Sequence, residues 1–318
     1  MENAKTAPSA ALIAVDWGTS RLRAMLLDGT GGVIAEAASD AGIATLAPGG
    51  HEAAFEALVA AWPPVPAIMA GMVGSRQGWR EAAYVPCPAA IGRLGGGMLR
   101  FTTSAGRPVA IVPGLMLRTP ARDGDVIRGE ETQIAGLIDR EPGFAGIAVL
   151  PGTHSKWATI TEGTVSSFQT FMTGEMFELL SRRSFLRHSV AEDGHDLAAL
   201  PDFTLGVRRT VVDGLPFLAA IFSVRARQLL DGVAPADNLA YLSGLVVGGE
   251  IAAARASGLL GHGTALRIVG TRSLGRAYAT AFAIADYRPT ALDGGALVVE
   301  GLAHLARTIG FLDKASPA

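Results

Sequence analysis

The chain is 318 residues long, 49% hydrophobic and 18% charged, with 27 basic against 29 acidic residues. Composition of this kind excludes general disorder, and the length suits about two domains at roughly 150 residues each. The net charge of −2 excludes the electrostatic footprint of a nucleic-acid or anionic-membrane partner, and the single cysteine, Cys87, excludes an internal disulfide or a multi-cysteine metal site.

The first element in the chain is half of an internal repeat. Residues 13–30, IAVDWGTSRLRAMLLDGT, align without a gap on residues 147–164, IAVLPGTHSKWATITEGT, with 8 of 18 positions identical. Each copy is predicted as a strand, a Gly-Thr turn and a second strand, from apolar β-branched residues before the turn and alternation after it. A third strand follows in GGVIAEAASD. Residues 51–62 are expected as a helix closed by Pro63 and Pro64, and 65–74 as a buried strand. The break between two related α/β lobes is expected near 139–146, giving lobes 1–142 and 143–318. In the second lobe TVSSFQTFMTG is a strand and 175–186 a helix. Residues 241–257 form an apolar helix in which Gly244, Gly248 and Gly249 admit another backbone closely. A strand at 265–269, a Gly-Thr turn, a further helix and a terminal helix at 293–308 complete the chain. No stretch of 18 apolar residues lacks a charge, Glu250 breaking the best candidate, and residues 1–15 do not read as a secretory signal, so a soluble cytoplasmic protein is expected.

The chain carries no GxxxxGK[ST], complete GxGxxG, HExxH or GxSxG, and its six histidines show no zinc spacing. The two Gly-Thr turns remain. Such a turn aims backbone N–H groups and a hydroxyl at phosphate oxygens. Asp16, two residues before Gly18, leaves a strand end at the same point, where one carboxylate suits Mg²⁺ held partly through water. The second copy has Leu150 in that place, which implies one metal position. Lysine occurs only at positions 5, 156 and 314, so Lys156 alone falls in the folded body. Cys87, between two prolines with no base beside it, is expected to be structural.

DWGTSR at 16–21, followed by the second Gly-Thr hairpin, resembles the actin/Hsp70/sugar-kinase superfamily. AGMVGSRQGWR at 70–80, DVIRGEETQIAG at 125–136, LPGTHSKWA at 150–158 and FQTFMTGE at 168–175 are similar to the 2-dehydro-3-deoxygalactonokinases, over about residues 12–300. The resemblance implies two ribonuclease H-like α/β lobes around a central cleft. It also implies transfer of the γ-phosphoryl of MgATP to the C6 hydroxyl of 2-dehydro-3-deoxy-D-galactonate, in galactonate catabolism. Rival readings are a related kinase for another sugar or sugar acid and a non-catalytic sugar sensor. A homodimer is compatible with either.

Within that resemblance Asp16 organises Mg²⁺ and phosphate, and Gly18, Thr19, Ser20, Gly152 and Thr153 contact phosphates. Lys156 brings a cation to the transferring group and His154 orients polar groups. Gly270 and Thr271 stand where the superfamily has its adenosine-contacting Gly-Gly turn; Tyr278, on the next helix, is expected to be core. Related kinases use a carboxylate opening a helix just before the second hairpin as base. Glu130, Glu131 and Asp125 compete for that role, Glu130 being favoured. Ser75, Arg76 and Gln77 form a loop suited to a sugar acid, since a guanidinium binds carboxylate bidentately. Thr173 and Glu175 are either an N-cap and a dipole-pairing acid or substrate contacts.

Overall fold

The computed structural model describes residues 9–119 and 122–313, so Lys5 and Lys314 lie outside the described residues. In chain order the elements are β1 (Ala10–Trp17), β2 (Leu22–Asp28), β3 (Val33–Ser39), α1 (His51–Leu58), β4 (Ala67–Gly71), β5 (Tyr84–Pro86), β6 (Ala89–Ala90), β7 (Leu99–Thr102), β8 (Pro108–Ile111), β9 (Gly114–Thr119), β10 (Arg122–Ile127) and α2 (Glu130–Arg140). They continue with β11 (Gly146–Leu150), β12 (Ser155–Thr161), β13 (Thr164–Phe171), α3 (Thr173–Glu178), α4 (Pro201–Val211), α5 (Phe217–Ala220), α6 (Ser223–Asp231), α7 (Pro235–Ala256), β14 (Leu266–Gly270), α8 (Arg272–Ile284), β15 (Thr290–Asp293) and α9 (Gly294–Thr308).

The chain forms two compact units. The first holds the described residues up to Phe144, the segment Ile160–Phe168 and the segment from Gly295 onward; the second holds Ala145–Thr159 and Gln169–Gly294. The C-terminal segment joins the first unit because α9 lies directly on α2: a Cβ placed on Gly301 would sit 1.9 Å from the Thr132 carbonyl oxygen. The compact units therefore interleave along the chain, whereas a single cut after residue 142 would leave α9 with the second.

In the first unit a sheet runs β3-β2-β1-β4-β8-β7. β1 pairs antiparallel with β2 and parallel with β4, and β4 pairs parallel with β8. Central strands of a sheet covered on both faces read as unbroken apolar runs, which is why Leu12–Val15 of β1 and Ala67–Met69 of β4 are all buried. The core joins Ile13, Val15 and Trp17 to Phe55 of α1 and Ile111 of β8. β10, β9 and β5 form a separate small sheet.

The second unit's sheet runs β15-β14-β11-β12-β13, with β11–β14 and β14–β15 parallel. Counted from its own first strand, this sheet shares with the first unit the order third, second, first, fourth, each followed by one further parallel strand, β8 in the first unit and β15 in the second. The eight identities between the two segments therefore mark a duplicated ribonuclease H-like topology. The tip of the β12–β13 hairpin is counted with the first unit, where Thr164 and Val165 pair with Ala90 and Ala89 of β6. α7 is long and apolar enough to cross a bilayer, yet 67% of its apolar window is buried inside the protein. It packs on α4, and the expected close approach holds at Gly244 and Gly248, while Gly249 faces the Phe217 ring.

Several element ends differ from expectation. α1 stops at Leu58, before the prolines, because Trp62 N–H turns back to the Val59 carbonyl at 2.9 Å. The helix expected at 175–186 is α3 followed by a π-helical turn, Leu179–Arg183. Ser184 ends it, its N–H reaching the Leu179 carbonyl and its hydroxyl capping the short turn that follows. α7 begins at Pro235, six residues earlier than expected, with proline in its first turn where the missing N–H costs nothing.

Candidate functional site

The chemistry-bearing residues gather at the carboxyl ends of the first strands in each duplicated sheet. This is where strand order reverses and open α/β sheets place their ligands.

In the first unit Asp16 stands next to the end of β1, in register with Arg23 on β2 and Ala70 on β4. One carboxylate oxygen accepts a hydrogen bond from Arg23 Nη2. The Asp16 side chain is 23% exposed and lines a cavity of about 650 Å³ together with Arg23, Glu36, Gly295 and Glu300. Gly18, Thr19 and Ser20 form the turn that follows. Gly18 N–H bonds the Arg21 carbonyl at 2.9 Å, and the Gly18 and Thr19 carbonyls accept from Ile43 and Ala44 N–H at 3.1 and 3.0 Å. The turn is thus pinned from behind, with Thr19 and Ser20 exposed.

β4 ends at Gly71, and α2 begins beside it: Gly129, at the N-cap of α2, would place a Cβ 3.5 Å from Gly71 Cα. Asp16, Gly71 and the start of α2 are therefore neighbours. Glu130 opens the helix half-buried, its carboxylate accepting from Arg128 N–H at 3.1 Å. Glu131 is fully buried and accepts from Gly129 N–H at 2.6 Å. Its other oxygen has no partner, and burial with the adjacent Glu130 charge pushes its pKa up to about 8. Asp125 lies on β10, its carboxylate bonded to Val126 N–H at 2.8 Å. Of the three acids left open by the sequence, Glu131 is enclosed, Asp125 belongs to another sheet, and Glu130 opens the helix beside the Asp16 strand end. The substrate-loop residues follow β4. Ser75 is buried and donates to the Met72 carbonyl at 2.8 Å, while Arg76 and Gln77 are exposed. Arg76 faces Glu81 at 3.8 Å.

In the second unit Gly152, Thr153 and His154 form an exposed turn, and α3 docks on it. Glu175 N–H bonds the Thr153 carbonyl at 2.9 Å, and His154 Nε2 bonds the Glu175 carboxylate. A Cβ on Gly174 would lie 2.4 Å from the Gly152 carbonyl oxygen, so only glycine permits this approach. The FMTGE and GTHSK segments are one structure. Lys156, expected to bring a cation to the transferring group, is buried in β12 with Nζ donating to the His154 carbonyl at 2.9 Å.

Thr173 is not an N-cap. Met172 holds that position, and the Thr173 hydroxyl instead donates to Glu250. Glu250 of α7 is the residue that sequence reasoning missed, having entered only as the charge interrupting an apolar stretch. It is buried and accepts from Ser155 Oγ at 2.7 Å, Trp157 Nε1 at 2.5 Å and Tyr278 Oη at 2.5 Å as well as from Thr173. Burial raises its pKa and the four donors oppose that rise. Tyr278 is core, as expected, and it also lines a cavity of about 370 Å³ with Gly152, Gly174, Asp196, Ser273 and Ala277. Gly270 and Thr271 do not line this cavity. Thr271 is the N-cap of α8, its hydroxyl accepting from Leu274 N–H, and so aims the helix that does. Cys87 is half-buried and burial pushes its thiol up to about 11, so it is no nucleophile at neutral pH.

Among the described residues no group of three or more His, Cys, Asp or Glu side chains could cage a metal. A part-exposed carboxylate such as Asp16, beside a Gly-Thr turn, suits Mg²⁺, which keeps several waters and takes one or two carboxylates plus phosphate oxygens.

Comparison with known proteins gives consistent results. The family model described as 2-keto-3-deoxy-galactonokinase matches residues 16–305. A Rhizobium meliloti (strain 1021) protein named "Probable 2-dehydro-3-deoxygalactonokinase DgoK1" is 40% identical over 93% of this chain and 96% of its own. The Escherichia coli (strain K12) protein named 2-dehydro-3-deoxygalactonokinase is 32% identical over 95% of this chain and 99% of its own. A crystal structure from Sinorhizobium meliloti, described as a "putative 2-dehydro-3-deoxygalactonokinase protein", superposes with a TM-score of 0.87 at 39% identity, covering 94% of this chain and 99% of that one.

Proposed function

Because the chain belongs to the 2-keto-3-deoxy-galactonokinase family, we propose that it transfers the γ-phosphoryl group of ATP to the C6 hydroxyl of 2-dehydro-3-deoxy-D-galactonate, as a cytoplasmic step of galactonate catabolism. The chain is a phosphotransferase with an alcohol acceptor and takes a small sugar acid as substrate. The observation that carries the reading is the family match across residues 16–305, which spans both duplicated sheets and both Gly-Thr turns.

In the transfer the C6 oxygen bonds to the γ-phosphorus, the bond from that phosphorus to the β,γ-bridging oxygen breaks, and ADP leaves with the electron pair. Glu130 takes the hydroxyl proton. A primary hydroxyl is barely deprotonated before the transition state, so a positioned carboxylate suffices without an extreme pKa. Asp16 would hold Mg²⁺, which when bound would supply charge neutralisation to the transferring phosphate. Thr19 and Ser20, on the turn that Gly18 shapes, present N–H groups and polar side chains to phosphate oxygens, and Gly152, Thr153 and His154 form the other phosphate-contacting turn that the family resemblance implies. Lys156, although buried, places its ammonium at the His154 carbonyl and so adds positive charge behind the second turn. The adenosine occupies the second unit's cavity beside α8, with Gly270 and Thr271 setting that helix. Arg76 binds the sugar-acid carboxylate, Ser75 shapes the loop and Gln77 meets hydroxyls. Thr173, whose hydroxyl proton goes to Glu250, meets a substrate only as an acceptor, and Glu175 meets one only through the lone pairs not used by His154.

A coupled assay of ADP release across 2-keto-3-deoxy sugar acids tests the reading. Turnover confined to a different sugar favours the related-kinase alternative, and ATP binding without any turnover favours a sensor. Light scattering on the same preparation decides the homodimer. Glu130→Gln is expected to lower kcat by roughly 10²–10⁴, the range of a general base, with KM for ATP unchanged; if Asp125→Asn alone behaves so, the base is Asp125. Arg76→Ala is expected to raise KM for the sugar acid and leave KM for ATP in place, because its weak ion pair with the exposed Glu81 carries little structure. Equal rises in both constants assign it to the scaffold.

A further inference from the structure

Glu250 holds four donors with one carboxylate: two on one oxygen, from Ser155 and Trp157, and two on the other, from Thr173 and Tyr278. A carboxylate offers about four lone-pair sites, so the group is saturated. The donors come from three elements. Ser155 and Trp157 begin β12 directly after the Gly152–Thr153 turn, Thr173 begins α3, and Tyr278 lies in α8. The cavity of about 370 Å³ is lined by Thr173 and Gly174 at the start of α3, by Ser273, Ala277 and Tyr278 on α8, and by Gly152 in the turn that leads into β12.

Desolvating a carboxylate is costly, and an apolar cluster in place of Glu250 and its four donors would avoid that cost. What the carboxylate adds is direction, since each donor must point at one of two fixed oxygens. We propose that Glu250 is a positioning residue for the nucleotide, locking the 151–154 turn, the start of α3 and α8 into one arrangement around the cavity. The inference rests on the reading of that cavity as the adenosine site. Thr173 transmits the constraint to the turn, because Gly174 and Glu175 next to it make the close approach to Gly152 and the bond to the Thr153 carbonyl.

The test is steady-state kinetics of the full chain, varying ATP and 2-dehydro-3-deoxy-D-galactonate separately, on Glu250→Gln and Ala277→Trp, with ligand-free unfolding temperatures. In Glu250→Gln the amide oxygen still accepts from Ser155 and Trp157, and its NH₂ donates to the two remaining hydroxyls, so the shape is kept while the orientation of Thr173 and Tyr278 reverses. KM for ATP is expected to rise about ten-fold, the equivalent of one charge-assisted hydrogen bond, with KM for the sugar acid and the unfolding temperature close to wild type. Ala277→Trp, which fills the cavity, is expected to raise KM for ATP as well. If Ala277→Trp does so and Glu250→Gln does not, the positioning role is overturned and the cavity reading stands. If Ala277→Trp leaves KM for ATP unchanged, the cavity reading fails and the Glu250 proposal fails with it. Equal rises in both KM values with a lowered unfolding temperature make Glu250 merely structural and also overturn the proposal. Should Glu250→Gln not fold, Thr173→Val removes one donor and keeps the shape. A raised KM for ATP then supports the proposal, and an unchanged one overturns it.

Discussion

Asp16→Asn is expected to lower kcat by a factor of about 10²–10³, or about 3–4 kcal/mol, the loss typical of one preorganised electrostatic group. Two effects compete in this variant. One is loss of the metal-holding charge; the other is loss of the ion pair with Arg23, whose guanidinium is half exposed while the Asp16 side chain is 23% exposed. A pair so open to water contributes at most about 1 kcal/mol, too little to account for the larger loss. Arg23→Gln separates the two, because it breaks the same pair and keeps the carboxylate. Turnover of Arg23→Gln near wild type, with Asp16→Asn depressed even at saturating Mg²⁺, assigns the loss to the metal. If Arg23→Gln reproduces the whole loss, Asp16 acts only by holding Arg23. If Asp16→Asn turns over normally, the metal position lies elsewhere.

The duplicated frame was legible because its signal is local. The eight identities between 13–30 and 147–164 reach the structure as two hairpins, β1–β2 and β11–β12, that begin sheets sharing the order third, second, first, fourth. The place of Asp16 at the end of β1 was legible for the same reason: it sits two residues before a Gly-Thr turn that the echo marks twice. Glu250 was not, because its partners lie 95, 93, 77 and 28 residues away. Nothing near position 250 distinguishes a charge that ends an apolar run from one that collects four donors. Lys156 was singled out by its rarity, but only the fold shows it buried on β12 with its ammonium turned back to the turn it follows. The placement of α9 with the first unit was equally out of reach. It depends on contact between Gly301 and the Thr132 carbonyl, 169 positions apart. The π-helical turn after α3 escaped because EMFELLSRRSFL keeps an unbroken helical pattern up to Ser184, where a hydroxyl and an N–H divert the chain.

Gly244→Ala is expected to destabilise the second unit by about 2–3 kcal/mol, the upper part of the range for forcing extra volume into a packed core. On helix propensity alone the change should stabilise α7 by about 1 kcal/mol, since alanine is the better helix former. Sterics decide the sign. A Cβ at position 244 would lie 2.1 Å from the Phe203 carbonyl oxygen and 2.9 Å from its carbonyl carbon, and both atoms are α4 backbone that cannot rotate aside. α4 meets α7 reciprocally, since a Cβ on Gly206 would lie 2.2 Å from the Tyr241 carbonyl oxygen. The two helices have no slack through which to separate without opening the core around Phe203 and Val207. Scanning calorimetry should show a fall in unfolding temperature of roughly 4–12 °C, at about 2–4 °C per kcal/mol for a unit of this size. Gly249→Ala is the internal comparison, because its Cβ would meet the side-chain ring of Phe217 at 3.0 Å rather than backbone, and a ring can shift. A smaller fall for Gly249→Ala than for Gly244→Ala locates the constraint in the α4–α7 backbone contact; equal falls, or a rise for Gly244→Ala, would mean that propensity and side-chain repacking govern this interface instead.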